Sequence, residues 1–242
     1  MAASADRARL ARRLTVEHGD PETAEAVAAD LDDGLLELVI AVSGGEIESS
    51  PALSSTPPTM ADDEVDSLWL FSWGYRIDPA AGIAPVGLTD TPPPFAVLQP
   101  GPVNAAIART ATAFVANHPV PIIAQWEIAR ELDCLGARDV ISVEPVQEPD
   151  GTLRYLSTPD VVTVGQQLAA DAGVTVGRAG VITFSALAFP GVMAARQGGL
   201  DAAVPVGAVL PTEYDPESGQ LWTRSLEAWL PVDLFGRAIL NG

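Results

Sequence analysis

The sequence predicts an α/β fold: a Rossmann-like, mostly parallel sheet flanked by helices, with an N-terminal helix and β-hairpin extension. Three observations predict it. From Phe95 onward, short apolar runs alternate with amphipathic stretches of helical period. Consecutive strands separated by a helix are most economically joined as parallel crossovers. The apolar fraction, 48% of 242 residues, is enough for a substantial core.

The elements follow in order. Residues 5–33 carry helical signals, with Asp20-Pro21-Glu22 as the cap and first turn before TAEAVAADL. LLELVIAVS (35–43) reads as a strand. Residues 44–66 are rich in Ser, Pro, Gly and acids and read as a long mobile loop, either a lid or an arm reaching a second subunit. SLWLFSWGYRI (67–77) reads as a second strand, with Leu68, Leu70 and Ser72 alternating against Trp69, Phe71 and Trp73, so that the two strands form an antiparallel addition. Proline-punctuated GIAPVGLTDTPPP (82–94) marks the boundary between an N-terminal extension, residues 1–92, and an α/β domain, residues 93–242.

Within that domain the pattern predicts strands at 95–99, 121–125, 139–144, 179–185 and 202–207. Helices are predicted at 104–117, 127–136, 160–172 and 189–197, a turn within 148–156, and a closing amphipathic helix around 222–240.

Composition narrows the function. The chain has 32 acidic and 13 basic residues, a formal charge of -19, and no basic stripe, which argues against a nucleic-acid partner or an anionic membrane surface. All 13 basic residues are arginine, so Schiff-base, pyridoxal-phosphate and phosphate-loop lysines are excluded. Cys134 is the one cysteine, read as packing on the apolar side of a helix, and it excludes an internal disulfide or a cysteine-cluster metal site. His18 and His118 are the only histidines and lie in no zinc-binding spacing, so no metal is expected. No apolar run is long enough to span a bilayer and no charged leader precedes an apolar core, so a cytoplasmic protein is expected.

One carboxylate stands out. In PFAVLQPGPVNAAIARTATAFVANHPVPIIAQWEIA (94–129), Glu127 falls where a strand gives way to a helix, on the rim where open α/β sheets bind ligands. Its neighbours Ile122, Ile123, Trp126 and Ile128 are apolar, and such a setting raises a carboxyl pKa toward the acid/base range. A first-turn acid stabilising its own helix explains the same position. Gln125 and Trp126 suit the orientation of a flat, polar substrate, or core packing. The loop Gln99–Asn104 lacks GxGxxG and carries two prolines, which argues against a dinucleotide site, and Asn104 reads first as a helix cap. His118 fits a cation at a helix C-terminus. Tyr155, Ser157, Thr158 and Asp160 read first as a cap cluster with Pro159 in the first turn, and second as ligand contacts. Phe184 and Ser185 lie on the same rim as Glu127, and Arg196 is expected first to pair with an acid and second to bind a substrate carboxylate.

The stretches VPIIAQWEIARELDCLGARDVISVEP, YLSTPDVVTVGQQL and AGVITFSALAFPGVMAARQGGLDAAVP give the part from about residue 95 to 240 a resemblance to the SanA/YdcF-type α/β domain. That family carries an arginine and an asparagine where Ser157–Gln167 stands, and a histidine and an arginine where Thr183–Ala194 stands. Here the corresponding residues are Ser157-Thr158-Pro159 and Ser185-Ala186-Leu187-Ala188, so the resemblance implies a kept scaffold with its anion-binding groups replaced by apolar ones.

The segment NHPVPIIAQWEIA, with His118 a short way before Glu127, is similar to the bacterial Pictet–Spengler cyclases of the marinacarboline type. Those are homodimeric, cofactor-free enzymes. The resemblance implies Glu127 as acid/base, His118 as an auxiliary proton-transfer group, Arg109 as the nearest match for a substrate-gripping arginine, and Trp126 with Phe184 in an indole pocket. The expected partners are a tryptophan-like amine and an aldehyde, with Gln125, Asn104 and Ser185 also contacting substrate. A nucleotide- or S-adenosylmethionine-binding protein without catalysis is the alternative.

Overall fold

Ser67, Leu68, Trp69 and Leu70 are all fully buried, which places the strand they form inside a sheet covered on both faces. A computed structural model of the chain describes residues 2–148 and 153–241. The turn expected within 148–156 falls largely outside the described residues. The chain divides into two compact units, residues 57–221 and residues 1–56 with 222–242.

In chain order, α1 (Ala2–His18), α2 (Pro21–Asp30) and α3 (Asp33–Val42) open the smaller unit. The larger unit holds β1 (Thr59–Met60), β2 (Ser67–Leu70), β3 (Arg76–Ile77), β4 (Leu98–Gln99), α4 (Pro102–Val115), β5 (Ile122–Gln125), α5 (Trp126–Cys134) and β6 (Val140–Val143). It continues with β7 (Val146–Gln147), β8 (Leu153–Arg154), α6 (Thr158–Asp171), β9 (Arg178–Ile182), α7 (Ala188–Gln197) and β10 (Asp201–Pro205). The last helix, α8 (Leu226–Asn241), belongs to the smaller unit, not to the α/β domain it was expected to close.

The larger unit is a Rossmann-like α/β fold. Six strands lie in the order β1-β10-β9-β2-β5-β6, every neighbouring pair parallel. Two helix pairs, α4 with α5 and α6 with α7, flank the sheet. Trp69 and Phe71 face α6 and α7, whose approach requires glycine: a Cβ on Gly165 would stand 2.8 Å from the Trp69 ring and 2.9 Å from Ile123. The chain steps from β2 to β5 and β6 on one side, then crosses back through α6 to β9 on the other side of β2. The carboxyl ends of β2 and β9 are therefore the switch point, where such sheets open a ligand crevice.

Several expectations are corrected. Residues 35–43 are not a strand but lie within and just after α3, because the Asp32 side chain accepts from the Gly34 and Leu35 amides and the buried Leu36 and Val39 have helical spacing. The N-terminal β-hairpin is therefore replaced by helices, and 67–70 is the centre of the main sheet, so residue 92 does not divide the units. Residues 95–99 are a short 3-10 turn followed by two residues of β4 paired antiparallel with β3, since Pro94 and Pro100 bracket the segment. Residues 44–66 are built in as a 3-10 turn at Pro51–Leu53, the edge strand β1 on β10, and a second turn at Asp62–Glu64. Cys134 is exposed at the end of α5, and Arg196 donates to the Ala202 carbonyl at 2.7 Å instead of pairing with an acid.

The smaller unit packs Leu10, Leu14, Val27, Leu36, Val39 and Leu230 into its own core. Asp20 caps α2 as expected, accepting from the Thr23 amide at 3.0 Å. No helix among the described residues is long and apolar enough to cross a membrane.

Candidate active site

Glu127 lies two residues beyond the end of β5, in the first turn of α5, and is fully buried. Removing a carboxylate from water without a bonded cation is expensive, so the proton is retained: burial pushes the Glu127 pKa up to about 8, while the hydroxyls of Tyr155 and Ser72 act against it. Arg130, one turn along α5, is tied instead to Glu144 by two hydrogen bonds of 2.8 and 2.9 Å.

What holds Glu127 is a set of neutral groups from three places on the rim. Tyr155, between β8 and α6, donates its hydroxyl to Glu127 Oε1. Gln125, the last residue of β5, donates its Nε2 to the Tyr155 oxygen at 3.2 Å and accepts the Ser72 amide on Oε1 at 3.1 Å. Ser72, two residues past β2, places its Oγ 3.2 Å from the Tyr155 hydroxyl. Glu127 Oε2 is buried without a hydrogen-bond partner. Burial, and then the Glu127 charge, hold the Tyr155 phenol well above its ordinary pKa, and the same two causes in the same order push Tyr75 up to about 12.

Beside this polar group stand the aromatics of the switch point. Trp73 follows β2 and Phe184 follows β9. Their rings stack at 4.5 Å, with Tyr214 edge-on to Phe184 at 4.7 Å. Thr183 Oγ1 donates to the Phe71 carbonyl at 2.7 Å, tying the two strand ends together. Asn104 does not cap α4, whose cap position is Gly101. It lies buried in the first turn, where its side chain accepts from the Trp73 amide at 3.0 Å and donates to the Gly74 carbonyl at 2.7 Å. It thus fixes a turn that Gly74 makes possible with a φ of +67°.

The structure brings Glu127, Gln125, Phe184 and Ser185 to one rim and leaves others of the expected set elsewhere. Ser185 opens a 3-10 turn there, its amide donating to the Pro211 carbonyl at 2.9 Å. Trp126 packs in a group with Phe95, Tyr75, Leu98 and Tyr155, so it borders the tyrosines of the site and not the Phe184 rings. Arg109 is exposed on α4. His118 stacks on Phe114 at the end of α4, before β5 begins, so the length of β5 separates it from Glu127. A histidine nine positions before a carboxylate in sequence is at the opposite end of a strand in this fold. The cap cluster before α6 is as expected: Ser157 and Asp160 form a capping box with Pro159 in the first turn.

Sequence reasoning missed Tyr75 and Ser72 as site residues and placed Tyr155 in a cap cluster first, with ligand contact second. Ser72 was hidden by reading 67–77 as one strand when β2 ends at Leu70. Tyr155 carried a usable signal, since residues just before a crossover helix stand at the carboxyl rim. No group of three or more His, Cys, Asp or Glu among the described residues is placed to hold a metal ion. The chain matches no family model, and no curated protein or solved structure matches it.

Proposed function

We propose that the protein is a cofactor-independent cyclase that condenses a tryptophan-like amine with an aldehyde, a Pictet–Spengler reaction giving a β-carboline skeleton, with Glu127 as acid/base. The observation that carries this reading is a carboxyl sealed from water at the C-terminal rim of a parallel sheet, with its pKa pushed up to about 8 and no bonded cation. At pH 7 such a group is protonated about ten to one, yet it gives up its proton with little penalty, which suits a reaction that needs an acid and then a base.

The amine adds to the aldehyde to give a carbinolamine. Protonation of its hydroxyl from the site expels water and leaves an iminium. The indole ring attacks the iminium carbon, forming the new C–C bond, and the proton displaced from the ring returns to the Glu127 carboxylate, which restores aromaticity. The balance is amine plus aldehyde to product plus water, with the site proton regenerated. Tyr214, half-buried over the buried Trp73 and Phe184 rings, offers a flat apolar surface for an indole. The similarity of NHPVPIIAQWEIA to the marinacarboline-type cyclases supports the choice of substrate. His118 and Arg109 take no part in this version of the mechanism.

The test is incubation of the purified protein with L-tryptophan and a panel of small aldehydes, acidic ones included, followed by mass spectrometry and chiral chromatography. The expected result is one diastereomer, at the summed mass less water, formed at least about 100-fold more slowly by Glu127→Gln. Product at the spontaneous rate only, with thermal stabilisation by an adenine nucleotide or S-adenosylmethionine, would replace the cyclase with a binding protein using the same rim.

A further inference from the structure

We propose that Glu127 exchanges its proton with the site through two hydroxyls in series, Tyr155 and then Ser72, so that Ser72 presents the proton to a bound molecule. The inference deepens the acid/base reading above and rests on it for the identity of the substrate, but the connection between the three groups is a property of the protein alone.

Glu127 is fully buried, whereas Tyr155 and Ser72 are only half-buried. The orientation of the Gln125 amide is settled by its other contact. Because Oε1 accepts the Ser72 backbone amide at 3.1 Å, the end facing the Tyr155 oxygen at 3.2 Å is Nε2, which can only donate. Tyr155 therefore has one hydrogen to give and two acceptors within reach, Glu127 Oε1 and Ser72 Oγ, the latter at 3.2 Å. With Glu127 ionised, the tyrosine hydrogen points at the carboxylate. With Glu127 protonated, the carboxyl hydrogen points at the tyrosine oxygen, which has two lone pairs for Glu127 and Gln125, and the tyrosine hydrogen turns to Ser72.

Passage between the two states is a shift of three protons by one place each: from Glu127 Oε1 to the Tyr155 oxygen, from Tyr155 to Ser72 Oγ, and from Ser72 to the departing hydroxyl of the substrate. Glu127 ends as a carboxylate, while Tyr155 and Ser72 remain neutral. The reverse shift returns the proton taken from the ring. The phenol is held well above its ordinary pKa, so a free tyrosinate is disfavoured and the shift is concerted. Gln125 is a positioning residue in this arrangement.

The test uses Tyr155→Phe, Ser72→Ala and Ser72→Thr in the full chain. With tryptophan and the accepted aldehyde, kcat falls about 100-fold in Tyr155→Phe and Ser72→Ala with KM within about twofold, and Ser72→Thr restores most of it. A second measurement needs no turnover: infrared titration of the Glu127 carboxyl band, identified by its loss in Glu127→Gln. Its midpoint rises in Tyr155→Phe and rises less in Ser72→Ala, because each hydroxyl favours the ionised form. Wild-type kcat in Ser72→Ala would overturn the relay while leaving the cyclase standing. A midpoint unmoved by both substitutions would overturn it whatever the activity. If the wild-type protein forms no product, the cyclase fails and the titration alone decides the relay.

Discussion

Glu127 in the larger unit and Asp233 in the smaller are both interior carboxyls, and they are kept there in opposite ways. Asp233, on α8, accepts from Arg237 Nε at 2.8 Å, one turn on, and both side chains are 4% exposed. Arg237 also donates to the Ala52 and Ser54 carbonyls, so the pair fastens the segment after α3 to α8. Burial raises the Asp233 pKa, and the guanidinium and His18 pull it back. Glu127 has only hydroxyls, an amide and a phenol around it. A bonded cation fixes a carboxylate as a strut. Neutral donors leave the carboxyl free to hold or release a proton, and this difference marks Glu127 as the chemical group of the two.

The largest effect expected from breaking this contrast is on Arg237. Arg237→Met leaves Asp233 buried without its cation and costs about 3–5 kcal/mol in chemical denaturation at neutral pH. The double variant Asp233→Asn, Arg237→Met recovers more than half of that, because no charge is then left in the interior. A loss of less than about 1 kcal/mol in the single variant would mean that Asp233 is held as a neutral acid, and the contrast would disappear.

Next comes the pH dependence. The Glu127 pKa is raised on folding, from 4.5 to about 8, so the native state binds more protons than the unfolded chain between those values. The stabilising effect of its proton is complete below about pH 4.5, declines by about 1.4 kcal/mol per pH unit as the unfolded chain ionises first, and is gone above about pH 8. Glu127→Gln, nearly isosteric and able to accept the Tyr155 hydrogen, is therefore similar to wild type near pH 5 and more stable than wild type near pH 8. Taking the difference between the two proteins cancels every other titrating group, His18 included. A flat difference from pH 5 to 8 would show that Glu127 ionises normally.

The placement of Glu127 was legible because β5 and α5 are bounded by strong local signals: a proline before the strand and an amphipathic run after it. The α6 start was legible for the same reason, through Ser157, Pro159 and Asp160. Residues 35–43 were not, since a continuous apolar run fits a buried strand or a helix, and the deciding group, the Asp32 cap, lies outside the run. The meeting of Ser72 with Tyr155 was beyond local reasoning for a different reason. They lie 83 positions apart and meet only because the sheet order sets β2 beside β5 and the chain returns to that rim before α6. His118 shows the converse: proximity in sequence to Glu127 became distance once a strand lay between them.

The smallest expected effect sharpens the contrast within the site itself. Tyr75 and Tyr155 are packed together, ring centroids 5.4 Å apart at 58°, and both are raised by burial and by the Glu127 charge. Only Tyr155 hydrogen-bonds the carboxyl. If that bond and its extension to Ser72 govern the proton, Tyr75→Phe, which keeps the ring and its packing, moves the Glu127 midpoint by less than about 0.5, whereas Tyr155→Phe raises it clearly. Infrared titration of the two variants side by side is the measurement. Equal rises would mean that the phenols act through the polarity they lend to the interior and not through a directed bond, and the hydroxyl series would then have no special claim on the proton of Glu127.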